Sequence, residues 1–111
     1  MDFYHLYALH KLCIIYLAGY PLSSINLYSV SIDRVGVGVV SKDGSYVRVE
    51  DSNISNYKLS GLMSYSKKHF YDTPKLISKG NFFDNISSCC MRQVNSTLTN
   101  NDINIYEKSF N

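Results

Sequence analysis

The chain has no tryptophan, only two prolines and three cysteines, and two alanines, Ala8 and Ala18, among its 111 residues. With the strongest helix former nearly missing, a helical bundle is disfavoured. Cys13, Cys89 and Cys90 are odd in number, and neighbouring residues on a strand face opposite ways. A disulfide framework is therefore not expected, and the cysteines read as buried structural thiols. Cys89 and Cys90 also lack the nearby histidine or second cysteine pair that a metal site needs, so neither metal nor cofactor is expected. Charge is sparse: 11 basic and 9 acidic residues leave a net +2, and the basic ones are scattered from Lys11 to Lys108. Non-specific nucleic-acid binding, which needs several phosphate contacts from one basic face, has no support. The clean apolar run LCIIYLAGY, residues 12–20, is too short to span a bilayer.

What remains is 45% hydrophobic, with ten tyrosines and a polar complement carried mainly by serine and asparagine. Such usage favours strands joined by polar turns. A chain of this length forms at most one domain, burying about two-thirds of its unfolded surface. Two regions are expected. Residues 1–24 are apolar and interrupted by His5, His10 and Lys11. Their reading is a helix over 3–17 that lays Leu6, Leu9, Cys13 and Leu17 onto the domain as a cap, with a signal-like segment as the alternative. His5 and His10, five apart, do not share a helical face as a ligand pair would.

Residues 25–111 are expected to form strands at 25–32, 35–40, 45–50, 58–65, 74–80, 88–94 and 102–107. Alternation is clearest at Val47 and Val49 against Arg48 and Glu50. An apolar anchor followed by two polar residues recurs at Ile32, Ile54 and Phe83, and Ile103, after Asn101 and Asp102, begins a truncated fourth copy; the anchors are spaced 22, 29 and 20 residues apart. This irregular repeat predicts coils of a parallel β-solenoid, with asparagines stacked at the corners and KKHFYDTP bulging from one coil.

From Ile25 onward, VGVGVVSKDGSYVRVEDSNISN followed by GLMSYSKKHFYDTPKL resembles the last coils of right-handed parallel β-helix proteins. The SKDGS turn and the later Y-x-KK stretch are similar to β-helix regions associated with CotH-type spore-coat proteins. The resemblance implies an all-β fold: a right-handed parallel β-helix fragment of about three coils, to which the sequence reading adds the short N-terminal capping helix. It does not extend to residues 1–24, which leaves open a fragment of a longer solenoid.

Two segments carry the candidate chemistry. Lys42, Asp43 and Gly44 form a tight corner in which Gly44 takes positive φ, and a single acid is too few for calcium. The loop from Tyr65 to Pro74 offers Tyr65, Lys67, Lys68 and Tyr71 as ligand-binding candidates, because aromatic faces stack on sugars and lysines pair with carboxylates. The competing reading is a solvated loop whose aromatics cover a coil edge. Catalytic residues are not expected, since seven aspartates and two glutamates recur at no spacing that gathers them. The sequons at Asn53, Asn85 and Asn95 decide nothing in a chain this rich in asparagine and serine. The expected function is a non-catalytic structural or carbohydrate-binding module of a surface or extracellular protein. Its expected partners are polysaccharide or neighbouring β-helix coils, with no nucleic acid and no membrane span. The alternative is a fragment of a polysaccharide lyase or hydrolase.

Overall fold

The computed structural model describes residues 2–4, 7–9, 15–17, 24–42, 44–66, 73–100 and 107–110. These form twelve strands: β1 (Asp2–Tyr4), β2 (Tyr7–Leu9), β3 (Ile15–Leu17), β4 (Ser24–Tyr28), β5 (Ser31–Lys42), β6 (Tyr46–Glu50), β7 (Asn53–Tyr65), β8 (Lys75–Lys79), β9 (Phe82–Phe83), β10 (Cys90–Gln93), β11 (Thr97–Asn100) and β12 (Glu107–Phe110). The only helix among them is a single 3-10 turn, Ile86–Ser88.

The strands build two sheets in which every pairing is parallel. One sheet runs β1-β4-β6-β8-β11. The other runs β12-β10-β7-β5-β2, with β3 beside the second half of β5 and β9 beside the first half of β7.

This architecture corrects the expected fold in two respects. No helix caps the domain among the described residues, because β1, β2 and β3 occupy that segment and pair with β4 and β5. The apolar spacing that suggested a helix is ambiguous in so short a run. The β-branched and aromatic residues Tyr7, Ile15 and Tyr16 suit a strand, and the open edges of β4 and β5 offer it a ladder. The three-coil right-handed β-helix is likewise replaced by two parallel sheets of five and seven strands. Counting anchors follows one family of strands only. The chain alternates between two families, and the segment set aside as a cap supplies strands to both.

The repeat itself acts as register. Ile32 pairs with Ile54 and Ile54 with Phe83, so the first three anchors are neighbours across the ladder. Ile103 lies outside the described residues. Val39, Leu62 and Cys90 form a second inward column in the same sheet. The five-stranded sheet contributes Ile25, Val47, Leu76 and Leu98 in one column and Leu27, Val49 and Ser78 in the next. Leu27, Ile32, Ile54, Leu62 and Leu76 are almost wholly excluded from solvent. Burying each such side chain favours folding by roughly 1.5–3 kcal/mol.

Corners are held by side chains that replace backbone partners. At one corner Ser29, Asp51 and Gly80 all have positive φ, at +54°, +51° and +69°. Beside them, Ser52 Oγ accepts from Val30 N at 3.0 Å, and Asn81 Oδ1 accepts from Ser52 N at 2.9 Å. Asn81 Nδ2 in turn donates to Val49 O and Ser78 Oγ. Val30 N and Ser52 N are thus satisfied by side chains of the following corner residues, as buried backbone requires.

A third difference concerns Cys89 and Cys90, which are joined as a disulfide and are completely buried, where free thiols were expected. The alternation rule fails because Cys89 ends the 3-10 turn in the right-handed helical region, at φ −65° and ψ −36°, and is not a strand residue. Cys13 lies outside the described residues.

Candidate functional site

The two candidate segments, distant in sequence, meet at one corner. Lys42, the last residue of β5, is the register partner of Tyr65, the last residue of β7. Between Lys42 and Ser45 the chain turns tightly: Gly44 has φ +80°, and Ser45 N donates to Lys42 O at 3.2 Å. Ser45 Oγ accepts from Lys42 N at 2.8 Å. The corner is fastened to its neighbours by Lys75 N donating to Ser45 O at 2.9 Å and by Ser41 Oγ, 2.7 Å from Lys75 O. Beyond Tyr65, Ser66 N donates to Gln93 Oε1 at 2.6 Å, and Pro74 O accepts from Thr97 N at 3.0 Å. Of the expected site residues, Lys42, Gly44 and Tyr65 are therefore gathered within one corner. Asp43, Lys67, Lys68 and Tyr71 lie outside the described residues.

This corner opens onto the outward face of the five-stranded sheet. Because successive strand residues point to opposite sides, Val47 and Val49 go inward while Tyr46, Arg48 and Glu50 go outward. The parallel register then sets Tyr46 beside Lys75, Arg48 beside Ile77 and Glu50 beside Lys79. Tyr28 precedes Glu50 in its column. Lys75 and Lys79 are exposed, and the Arg48 and Glu50 side chains keep 41% and 23% of their surface. Arg48 Nε stands 4.0 Å from Glu50 Oε1, a loose ion pair, and makes no hydrogen bond. These outward residues were missed as a group, although the alternation in YVRVE was visible. Their neighbours lie 29 residues further on, and that offset becomes a contact only once the register is known.

The acidic residues are used differently. Asp33 accepts hydrogen bonds from Arg34 Nε at 2.8 Å, from Ser55 Oγ at 3.2 Å and from Asn56 Nδ2. The Asn56 bond is the main reason its carboxyl is held below the ordinary range, with Arg34 and Ser55 adding to the effect. Asp84 Oδ2 accepts from Asn56 N at 2.9 Å. Both carboxylates thus brace the corner where Arg34 and Asn56 take positive φ, at +57° and +53°. Tyr57, hydrogen-bonded to Asn85 O beside this corner, has its hydroxyl pKa raised by burial.

Among the described residues no group of histidine, cysteine, aspartate and glutamate is arranged to hold a metal, and no helix is long and apolar enough to cross a membrane. Comparison with family models, with curated proteins and with solved structures finds no match to this chain.

Proposed function

We propose that the chain is a non-catalytic structural or carbohydrate-binding module of a surface or extracellular protein. The observation that carries this reading is the meeting of Lys42 and Tyr65 at one corner, next to Tyr46 and Lys75. Tyrosine rings offer an apolar face to a sugar and a hydroxyl at the rim, and lysine ammonium groups pair with carboxylates. The acids support the same reading from the other side. Asp33 and Asp84 accept bonds that hold a turn in place, whereas a glycosidase needs two carboxylates flanking an open bond. The Cys89–Cys90 disulfide fits an oxidising compartment.

The test is retention of the full chain on an immobilised anionic polysaccharide. The parent is expected to be retained and released by salt, because exposed charge pairs are screened within about 10 Å at 0.1 M ionic strength. Combined Lys42→Ala and Tyr65→Ala substitution is expected to shorten retention while leaving the far-ultraviolet spectrum unchanged. A parent that passes unretained overturns the carbohydrate-binding reading.

A further inference from the structure

We infer that the outward face of the five-stranded sheet is itself a binding surface, and that its ligand is an extended polysaccharide bearing carboxylates and lying across the strands. This rests on the carbohydrate-binding reading above and names both the surface and the class of sugar. It depends on four features of the face.

The first is charge. Among the outward residues of β4, β6, β8 and β11, three are cations, Arg48, Lys75 and Lys79, and one is a carboxylate, Glu50. Over these four strands the face therefore favours an acidic partner. The second is shape. Parallel strands lie about 4.8 Å apart and present their side chains in straight rows. A row running from Tyr46 through Lys75 to Thr97 offers one contact per strand along a line perpendicular to the strands. A small molecule is best held in a concave pocket, whereas a linear chain can exploit such a row.

The third is composition. Tyr28 and Tyr46 stand on the same face as the cations, and among its described residues on β4, β6, β8 and β11 Ile77 is the one aliphatic side chain. Over these four strands the described residues form no aliphatic patch fit for the centre of a protein–protein contact, while rings and long amphipathic stems are available to a sugar. The fourth is geometry around Arg48. Glu50 is too far for a hydrogen bond, and the Arg48 side chain keeps 41% of its surface exposed, which leaves room for a carboxylate of the kind its planar fork accommodates. A uronate carboxylate supplies that partner.

Affinity electrophoresis of the full chain tests this in gels containing polygalacturonate, the same polymer fully methyl-esterified, or single-stranded DNA. The parent is expected to be retarded by polygalacturonate and to run freely through the esterified polymer, which keeps the rings and loses the charge. Substituting Arg48→Gln with Lys75→Gln is expected to raise the dissociation constant at least about tenfold, the loss anticipated for one or two charge-assisted bonds. Because Arg48 Nε is buried, Lys75→Gln with Lys79→Gln serves as a second pair confined to exposed side chains. It is expected to weaken binding in the same direction at an unchanged melting temperature.

Retardation by polygalacturonate that neither pair diminishes, but that the Lys42→Ala and Tyr65→Ala pair abolishes, overturns the sheet-face assignment and leaves the corner as the binding site. Equal retardation by DNA overturns the choice of a carboxylate sugar. A parent that binds no form of the polymer overturns this inference together with the reading on which it rests.

Discussion

The strands β4, β6 and β8 are five residues long and alternate without interruption, whereas β5 and β7 run for 12 and 13 residues and bend at Arg34 and Asn56. The bend lets one long strand serve two partners. β2 and β3 lie along successive halves of β5, and β9 and β10 along successive halves of β7. The short strands thus keep an uninterrupted alternation on their outward side, while the long ones commit Asp33 and Asn56 to holding a turn. That contrast separates the row of Tyr46, Arg48 and Lys75 on the five-stranded sheet from the Asp33 brace on the seven-stranded one, while Lys42 and Tyr65 end the long strands at the far side of the latter.

The comparison breaks most sharply at the glycines of β5. A Cβ at Gly38 would come within 2.5 Å of Gly61 O and 2.9 Å of Ile54 Cγ2, whereas a Cβ at Gly36 meets nothing within 4 Å. Gly38→Ala is expected to cost about 3 kcal/mol, at the upper end for overpacking a core. Gly36→Ala should stay within about 0.5 kcal/mol of the parent, as surface changes usually do. Denaturant titration of the two variants measures the difference. Equal stabilities would show that the long strands do not approach as closely as the short contact implies.

The corner between the sheets gives the next largest effect. Replacing Asn81 with Ala removes the acceptor of Ser52 N and two donated bonds, and is expected to cost about 2 kcal/mol, the penalty for leaving a buried group unsatisfied. Hydrogen exchange should quicken at Ser52 and along the start of β7 while β10 remains protected. Uniform acceleration would mean that the corner is not locally stabilised by this side chain.

These two regions were not equally legible in the sequence. The anchor spacing of 22 and 29 residues could be read because Ile32, Ile54 and Phe83 are apolar neighbours in one column, and Asn81 and Asn56 mark corners by residue type. The division of 25–40 was misplaced by a few residues. Alternation ran through Ser29, which takes a positive φ that serine seldom signals. The same is true of Arg34, so the bend in β5 had no local mark. Within the candidate site, Lys42 and Tyr65 were each singled out, yet their contact depends on the register. The row of Tyr46 and Lys75 depends on it as well. Cys89 escaped the alternation argument because it belongs to a turn that no glycine or proline announces.

The smallest expected effect sharpens the contrast by pH. Asp33 holds its charge to lower pH in the fold than in the unfolded chain, because Asn56, Arg34 and Ser55 hold its pKa down. A carboxyl depressed in this way adds stability above its unfolded pKa, and that contribution disappears as pH falls through the folded value. The parent should therefore lose more stability than Asp33→Asn on acidification from neutrality to below about pH 4. Thermal melts of both proteins across that range test the sign. A variant that tracks the parent in parallel would remove Asp33 from the acid response.

The ladder offsets also say how such a chain can assemble. Most strands find their partner 22 to 29 residues away, and the longer interval arises between Tyr65 and Lys75. The entropic cost of closing a loop grows only with the logarithm of its length, so seven further residues add roughly 0.2 kcal/mol. Extra chain at that one place is thermodynamically cheap, and each finished layer leaves an edge on which the next can be laid. Most of the contacts in the molecule nevertheless join residues at least 12 apart, and such non-local parallel pairing slows folding relative to a helical bundle of the same length.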